Sequence, residues 1–142
     1  MKGQKLLIFN CLIISILIVI RLTVFGWILL ALGLVVILPI TILYIIVSSK
    51  GFKNYSMFLD NDKLILWISF FSYIVFILFQ YELDDRAGYM VIEAFIRRYF
   101  IGYSNIIYDY SKISIMISII SGLVIIGSDV FLLIRLRKLK QA

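Results

Sequence analysis

Four long apolar runs constrain this chain more than any other feature. They are interrupted by so little charge that the lipid bilayer is the only solvent in which they can be stable. A spanning helix needs about 20 consecutive apolar residues. The first run, Lys5 to Phe25, is broken only by Asn10, Ser15, Arg21 and Thr23. The others cover about 27–49, 64–81 and 113–134. The predicted fold is therefore an all-α integral membrane protein, with four transmembrane helices in one bundle spanning residues 1–142. The composition agrees, at 63% hydrophobic and 15% charged residues with a mean hydropathy of +1.10. Soluble domains carry about 25% charged residues.

The run between the third and fourth spans, Tyr81 to Lys112, cannot sit in hydrocarbon. It carries Glu82, Asp84, Asp85, Glu93 and Asp109, five of the eight acids, and six of the nine tyrosines. We expect an excursion over 82–112, containing a helix from about Arg86 to Tyr99 with Asp84 or Asp85 as its cap. Glu93 and Arg97 stand at i,i+4 on one face of that helix. Met90, Val91, Phe95, Ile96 and Tyr99 make the rest of it too apolar for water. Its expected place is the membrane interface, as one short interfacial helix between helices three and four.

Lysine and arginine set the topology. With the N-terminus inside, Lys2, Lys5, Lys50, Lys53, Lys63, Arg135, Arg137, Lys138 and Lys140 are cytoplasmic. Arg21, Arg86, Arg97, Arg98 and Lys112 lie on the other side. Nine against five places both termini in the cytoplasm and the excursion outside, and the expected location is a bacterial inner membrane. The net charge of +6 flanks apolar runs and is not interleaved with aromatics on a soluble face. It reads as contact with lipid headgroups, with no nucleic-acid partner.

Composition narrows the chemistry further. The chain has no histidine, which excludes Ser-His-Asp catalysis and histidine metal ligation. The single cysteine, Cys11, has no internal partner for a disulfide and is expected as a small buried packing residue. Asp60-Asn61-Asp62 resembles a metal-binding triplet, but a solvated turn at a helix start explains it better. No nucleophile–base pair and no cofactor motif stands out, so the expectation is a protein that is not an enzyme, with no cofactor and no metal.

Helical projection at 100° per residue shows which faces meet protein. In the fourth span Ser114, Ser118, Ser121, Gly122, Ser128 and Asp129 share one sector. Ser69, Ser72, Tyr73 and Gln80 do so in the third, and Gly26, Gly33, Thr41, Tyr44 and Ser48 in the second. Small and hydroxyl residues let helices approach and hydrogen-bond where lipid offers no hydrophobic drive. Pro39, inside the second span, is expected to kink it. Asp129 is the outstanding polar residue, because an aspartate at a helix centre costs about 2.5–3.5 kcal/mol on insertion scales. Arg135, Lys5, Lys50 and Lys63 are its expected partners, with Asn10 as a hydrogen-bonding neighbour.

Two site hypotheses result. Arg97, Tyr99, Tyr103 and Tyr108 are candidate partner-binding residues, because clustered Tyr and Arg are common anchors in protein interfaces. Asp129, Ser118 and Ser121 are candidate intramembrane polar residues. The expected function is a small membrane protein that recognises a membrane or membrane-inserting protein, as an immunity or exclusion protein does. The alternatives are a subunit of a homo-oligomeric ion channel or small transporter, or an accessory subunit of a larger membrane complex. Its partners are the lipid bilayer and either such a protein or another copy of itself.

Overall fold

The computed structural model describes residues 2–24, 33–83, 88–96 and 111–141. Its elements are α1 (Lys2–Thr23), a π-helical turn (Gly33–Ile37) running into α2 (Leu38–Lys53), a 3-10 turn (Tyr55–Met57) and α3 (Asp60–Leu78). Two three-residue strands follow, β1 (Tyr81–Leu83) and β2 (Gly88–Met90), then a short α4 (Val91–Ile96) and the long α5 (Ser111–Gln141). Four helices are long and apolar enough to cross a membrane: Gly3–Thr23, Val35–Lys53, Asp60–Leu78 and Ile113–Leu139.

The spans differ from the sequence-derived bounds for identifiable reasons. α3 starts at Asp60, not near residue 64, because Asp60 and Asp62 in its first turn suit the positive helix end. Lys63 adds an i,i+3 ion pair to Asp60 at 2.8 Å. α5 continues through the basic tail, where Arg137 and Lys138 suit the negative end. Its 31 residues extend about 46 Å, well beyond a hydrocarbon layer of about 30 Å. Near Pro39 the structure has a widened π turn immediately before the proline, which sits in the first turn of α2. Ile37, the last residue of that turn, is itself helical, with φ −68° and ψ −45°. A proline lacks an N–H and crowds the carbonyl four residues earlier, and a π turn relieves that crowding without ending the helix. Residues 27–32 of the expected second span lie outside the described residues.

The excursion departs most from expectation. The predicted helix over Arg86–Tyr99 is confined, among the described residues, to Val91–Ile96. Residues Gly88–Met90 instead pair antiparallel with Tyr81–Leu83, in the register Tyr81↔Met90, Glu82↔Tyr89 and Leu83↔Gly88. Gly88 is a poor helix former, and tyrosine suits a strand. Pairing the backbone of 88–90 with the chain leaving α3 satisfies its polar groups locally. Asp84 and Asp85, expected as caps, lie outside the described residues.

The core runs along the bundle axis through Tyr44, Val47, Phe52, Leu66, Phe70, Tyr73, Phe76, Ile125 and Leu132. α3 and α5 form the most extensive helix pair. α1 touches the bundle with one narrow face, Asn10, Ile14, Leu17 and Arg21, at the 4-3-4 spacing of a single helical stripe. Cys11 follows Asn10 by about 100° and is exposed, which corrects its reading as a buried packing residue. Ile8, Leu12 and Val19 of α1, and Met116, Ile119 and Leu123 of α5, are also exposed. Apolar side chains turned outward all round the bundle are what lipid requires.

Both chain ends and the α2–α3 connection lie together. A Cβ on Gly3 would stand 2.9 Å from the Phe52 carbonyl oxygen and 3.0 Å from that of Lys53. The start of α1 thus meets the end of α2 backbone to backbone, bringing a positive helix end to a negative one. Gly51 is equally tight, with a built Cβ 2.8 Å from Leu66 Cδ1. We call this the terminal end of the bundle and the opposite one the hairpin end.

Candidate functional site

Each spanning helix contributes polar side chains to the interior, and they meet in one contiguous layer. On α1, Asn10 is fully buried. Its Nδ2 donates to Ser48 Oγ at 3.1 Å, and its Oδ1 accepts from the Tyr44 hydroxyl at 2.8 Å. Tyr44 and Ser48 stand one turn apart on α2, so one amide engages both. The Tyr44 ring stacks on Tyr73 of α3, with centroids 4.1 Å apart and planes 11° apart. The Tyr73 hydroxyl reaches back to Thr41 Oγ1 at 3.5 Å. Ser69, one turn before Tyr73, donates to Asp129 Oδ1 of α5 at 2.6 Å.

Asp129 is fully buried, and its second oxygen, Oδ2, has no hydrogen-bond partner among the described residues. The ion pair expected for it is absent there. Arg135 turns instead to Asp62, placing Nε 3.1 Å and 3.2 Å from the two carboxylate oxygens and Nη2 3.1 Å from Oδ2. Asp62 is buried, which corrects the reading of Asp60-Asn61-Asp62 as a wholly solvated turn. Asp60 remains exposed on its ion pair with Lys63. Asn10, expected beside Asp129, gives its amide to α2. The bundle therefore separates two carboxylates: Asp62 is neutralised by a bidentate guanidinium, and Asp129 is held by a hydroxyl.

At the hairpin end Arg21 does not reach outward, as its place near the end of the first span suggests. It is buried, with Nε donating to Gln80 Oε1 at 2.7 Å and Nη1 to the Val24 carbonyl at 2.8 Å. Gln80 also accepts the Val91 N–H on its backbone carbonyl at 2.9 Å. One residue thus ties α1 to α3 through its side chain and the excursion to α3 through its backbone. Ser114 donates to the Phe79 carbonyl oxygen, fixing the start of α5 to the same corner.

Of the candidate intramembrane residues, Asp129 alone lies in the buried layer between helices. Ser121 is buried but donates to the Ile117 carbonyl of its own helix at 2.7 Å. Ser118 is half-buried and makes a 3.4 Å bond to the Phe76 carbonyl of α3. The candidate partner-binding residues Arg97, Tyr99, Tyr103 and Tyr108 all lie outside the described residues. Asp62 was missed as an interior group. Gln80 shares a face with Ser69 and Tyr73, which is a readable signal, whereas nothing in one sequence ties Asp62 to a residue 73 positions away. The described residues contain no cluster of three side chains suited to hold a metal. Comparison with family models, with curated proteins and with solved structures found no match to this chain.

Proposed function

We propose that this chain is a non-enzymatic membrane protein that recognises a membrane or membrane-inserting protein, in the manner of an immunity or exclusion protein. The observation that supports it is how the interior polar groups are used. Asn10 with Tyr44 and Ser48, Arg21 with Gln80, Ser69 with Asp129 and Asp62 with Arg135 each join different helices. A carboxylate or guanidinium in hydrocarbon must find a partner, and these find theirs within the bundle. The interior then serves as scaffold. Recognition chemistry concentrates in the sequence between the third and fourth spans, with Arg97, Tyr99, Tyr103 and Tyr108. In this reading the termini are cytoplasmic, the segment 82–112 faces outward and the membrane is the bacterial inner one.

Purification in mild detergent, with mass spectrometry of co-eluting proteins, tests the proposal. It expects one foreign membrane protein whose co-elution is lost on Arg97→Ala with Tyr99→Ala and Tyr103→Ala, at unchanged protein level. Co-elution surviving all three substitutions would remove the excursion from recognition. A fixed complex with several other subunits would make the chain an accessory subunit.

A second reading, ion or proton handling as a channel or small transporter subunit, draws on one observation, the free Oδ2 of Asp129 in the four-helix polar layer. It expects ion or proton flux into liposomes that changes on Asp129→Asn. A tight bilayer with purified protein counts against it.

A further inference from the structure

Between α2 and α5 the bundle has a lateral groove of about 430 Å³. Phe76, Ile40 and Gly122 form its floor, and all three are buried. A Cβ on Gly122 would stand 3.3 Å from the Phe76 ring and 3.7 Å from Ile40 Cδ1, so the glycine keeps the floor low. Ile115, Ile119, Leu123 and Ile126 of α5 form one wall, and Val36 and Ile37 the other. The volume falls within the roughly 300–1,000 Å³ range of sites that hold a small ligand.

The groove has a defined head and length. Gln80 lines it at the hairpin end. Arg21 can only donate, and its Nε bonds to Oε1, which fixes the orientation of the Gln80 amide. The amide nitrogen Nε2 is left buried with no acceptor in the described structure, in a side chain only 6% exposed. An unsatisfied buried donor is costly. From Ile115 to Ile126 the wall rises about 16 Å, close to the roughly 15 Å that one leaflet contributes to the hydrocarbon layer. A molecule that fits must therefore be one acyl chain long and carry a hydrogen-bond acceptor, with no donor needed, at its polar end. A membrane glycerolipid has that form, because its ester carbonyl sits where the tail meets the headgroup.

We propose that the groove between α2 and α5 binds one acyl chain of a glycerolipid from the leaflet at the hairpin end, with an ester carbonyl accepting from Gln80 Nε2. This goes beyond partner recognition and does not depend on it. The bound tail completes the outer half of the bundle surface, and the ester contact relieves the orphan donor beside the Arg21–Gln80 tie.

Native mass spectrometry of the full chain, released from detergent with defined lipid added, tests the site. The probes are a diacyl ester phospholipid and its diether analogue, identical in headgroup and chains but lacking the carbonyls. The expected result is one retained lipid per chain, with the ester form preferred roughly three- to tenfold, the discrimination of one hydrogen bond. Gln80→Leu should abolish that preference. Ile119→Trp, at an exposed position on the groove wall, should fill the groove and abolish retention without disturbing the core. The ester–ether comparison uses the unaltered chain, so it stands even if Gln80→Leu does not fold. Equal binding of the two lipids, or full retention in Ile119→Trp, would overturn the proposal. A wild-type dimer that Ile119→Trp splits while lipid retention is unchanged would also overturn it, because a second copy would then be the occupant.

Discussion

The two ends of the bundle are built differently. At the terminal end, close packing and a paired buried carboxylate coincide. Gly3 meets the carbonyls of α2, Gly51 meets Leu66, and Arg135 holds Asp62 with three short contacts. An aromatic cluster seals it: Phe52, Trp67 and Phe70 meet edge to face at 5.3–6.2 Å. At the hairpin end the polar groups are only partly matched. Gln80 satisfies Arg21 but keeps one orphan donor, and α2 and α5 leave a groove. The Asn10–Tyr44–Ser69–Asp129 layer belongs to both, since it links all four helices and still leaves one carboxylate oxygen open. The contrast teaches that one end sets the fold while the other is, in our proposals, the end that meets lipid and a protein partner.

The most damaging test of that contrast is a charge reversal at the paired end. Arg135→Asp places two carboxylates face to face. Breaking a buried pair costs about 3–5 kcal/mol, with the lower end expected for a guanidinium that is partly exposed. Folded protein should largely disappear from size-exclusion profiles, and the swap Asp62→Arg with Arg135→Asp should bring much of it back. Failure of the swap to recover anything would mean that the pair does not carry the join between α3 and α5.

Gly51→Val tests packing at the same end. A Cβ already collides with Leu66 Cδ1, so overpacking should cost about 1–3 kcal/mol, read as a lower melting temperature in detergent. Gly127→Val, at a site with nothing within 4 Å of a Cβ, is the matched control and should leave melting unchanged.

The middle layer should respond less. Ser69→Ala removes the hydroxyl donated to Asp129. Interhelical hydrogen bonds in membranes average about 0.6 kcal/mol and reach about 1.7. A double-mutant cycle of Ser69→Ala with Asp129→Asn should yield a coupling in that range, toward its upper end because the acceptor is a carboxylate. Additive effects would show that the two side chains do not interact. The smallest effect is expected for Tyr73→Phe, which keeps the stack on Tyr44 and loses only a 3.5 Å contact to Thr41. Tyr44→Phe, losing a 2.8 Å bond to Asn10, should destabilise more. A reversed order would place the strain of the layer on α3.

Much of the frame was legible in the residues. The four spans follow from apolar length. The inward faces of α3 and α5 follow from the angular clustering of Ser69, Tyr73 and Gln80 and of Ser114, Ser121, Gly122 and Asp129, because hydroxyl and small groups have no favourable place in lipid. The partners were not legible. Arg135 stands among four basic residues, with Lys5, Lys50 and Lys63, expected for Asp129 from their place near one leaflet, whereas the structure gives it Asp62, 73 residues away. An arginine near the end of a span can snorkel to the interface, but Arg21 has an acceptor inside in Gln80. The helix expected over Arg86–Tyr99 was read from apolar content and capping signals, which do not distinguish a helix from a strand paired to the segment leaving α3.

By itself the sequence determined how many helices are long and apolar enough to cross a membrane and which of their sides face inward. These depend on local quantities: the length of an apolar run and the angle between residues on a helix. Only the tertiary structure decided which polar group satisfies which. The order in which helices pack brings distant residues within about 3 Å of one another, and hydrogen bonds require that distance. The pairing of Asp62 with Arg135, the free oxygen of Asp129 and the orphan amide of Gln80 at the head of a groove are all consequences of that packing.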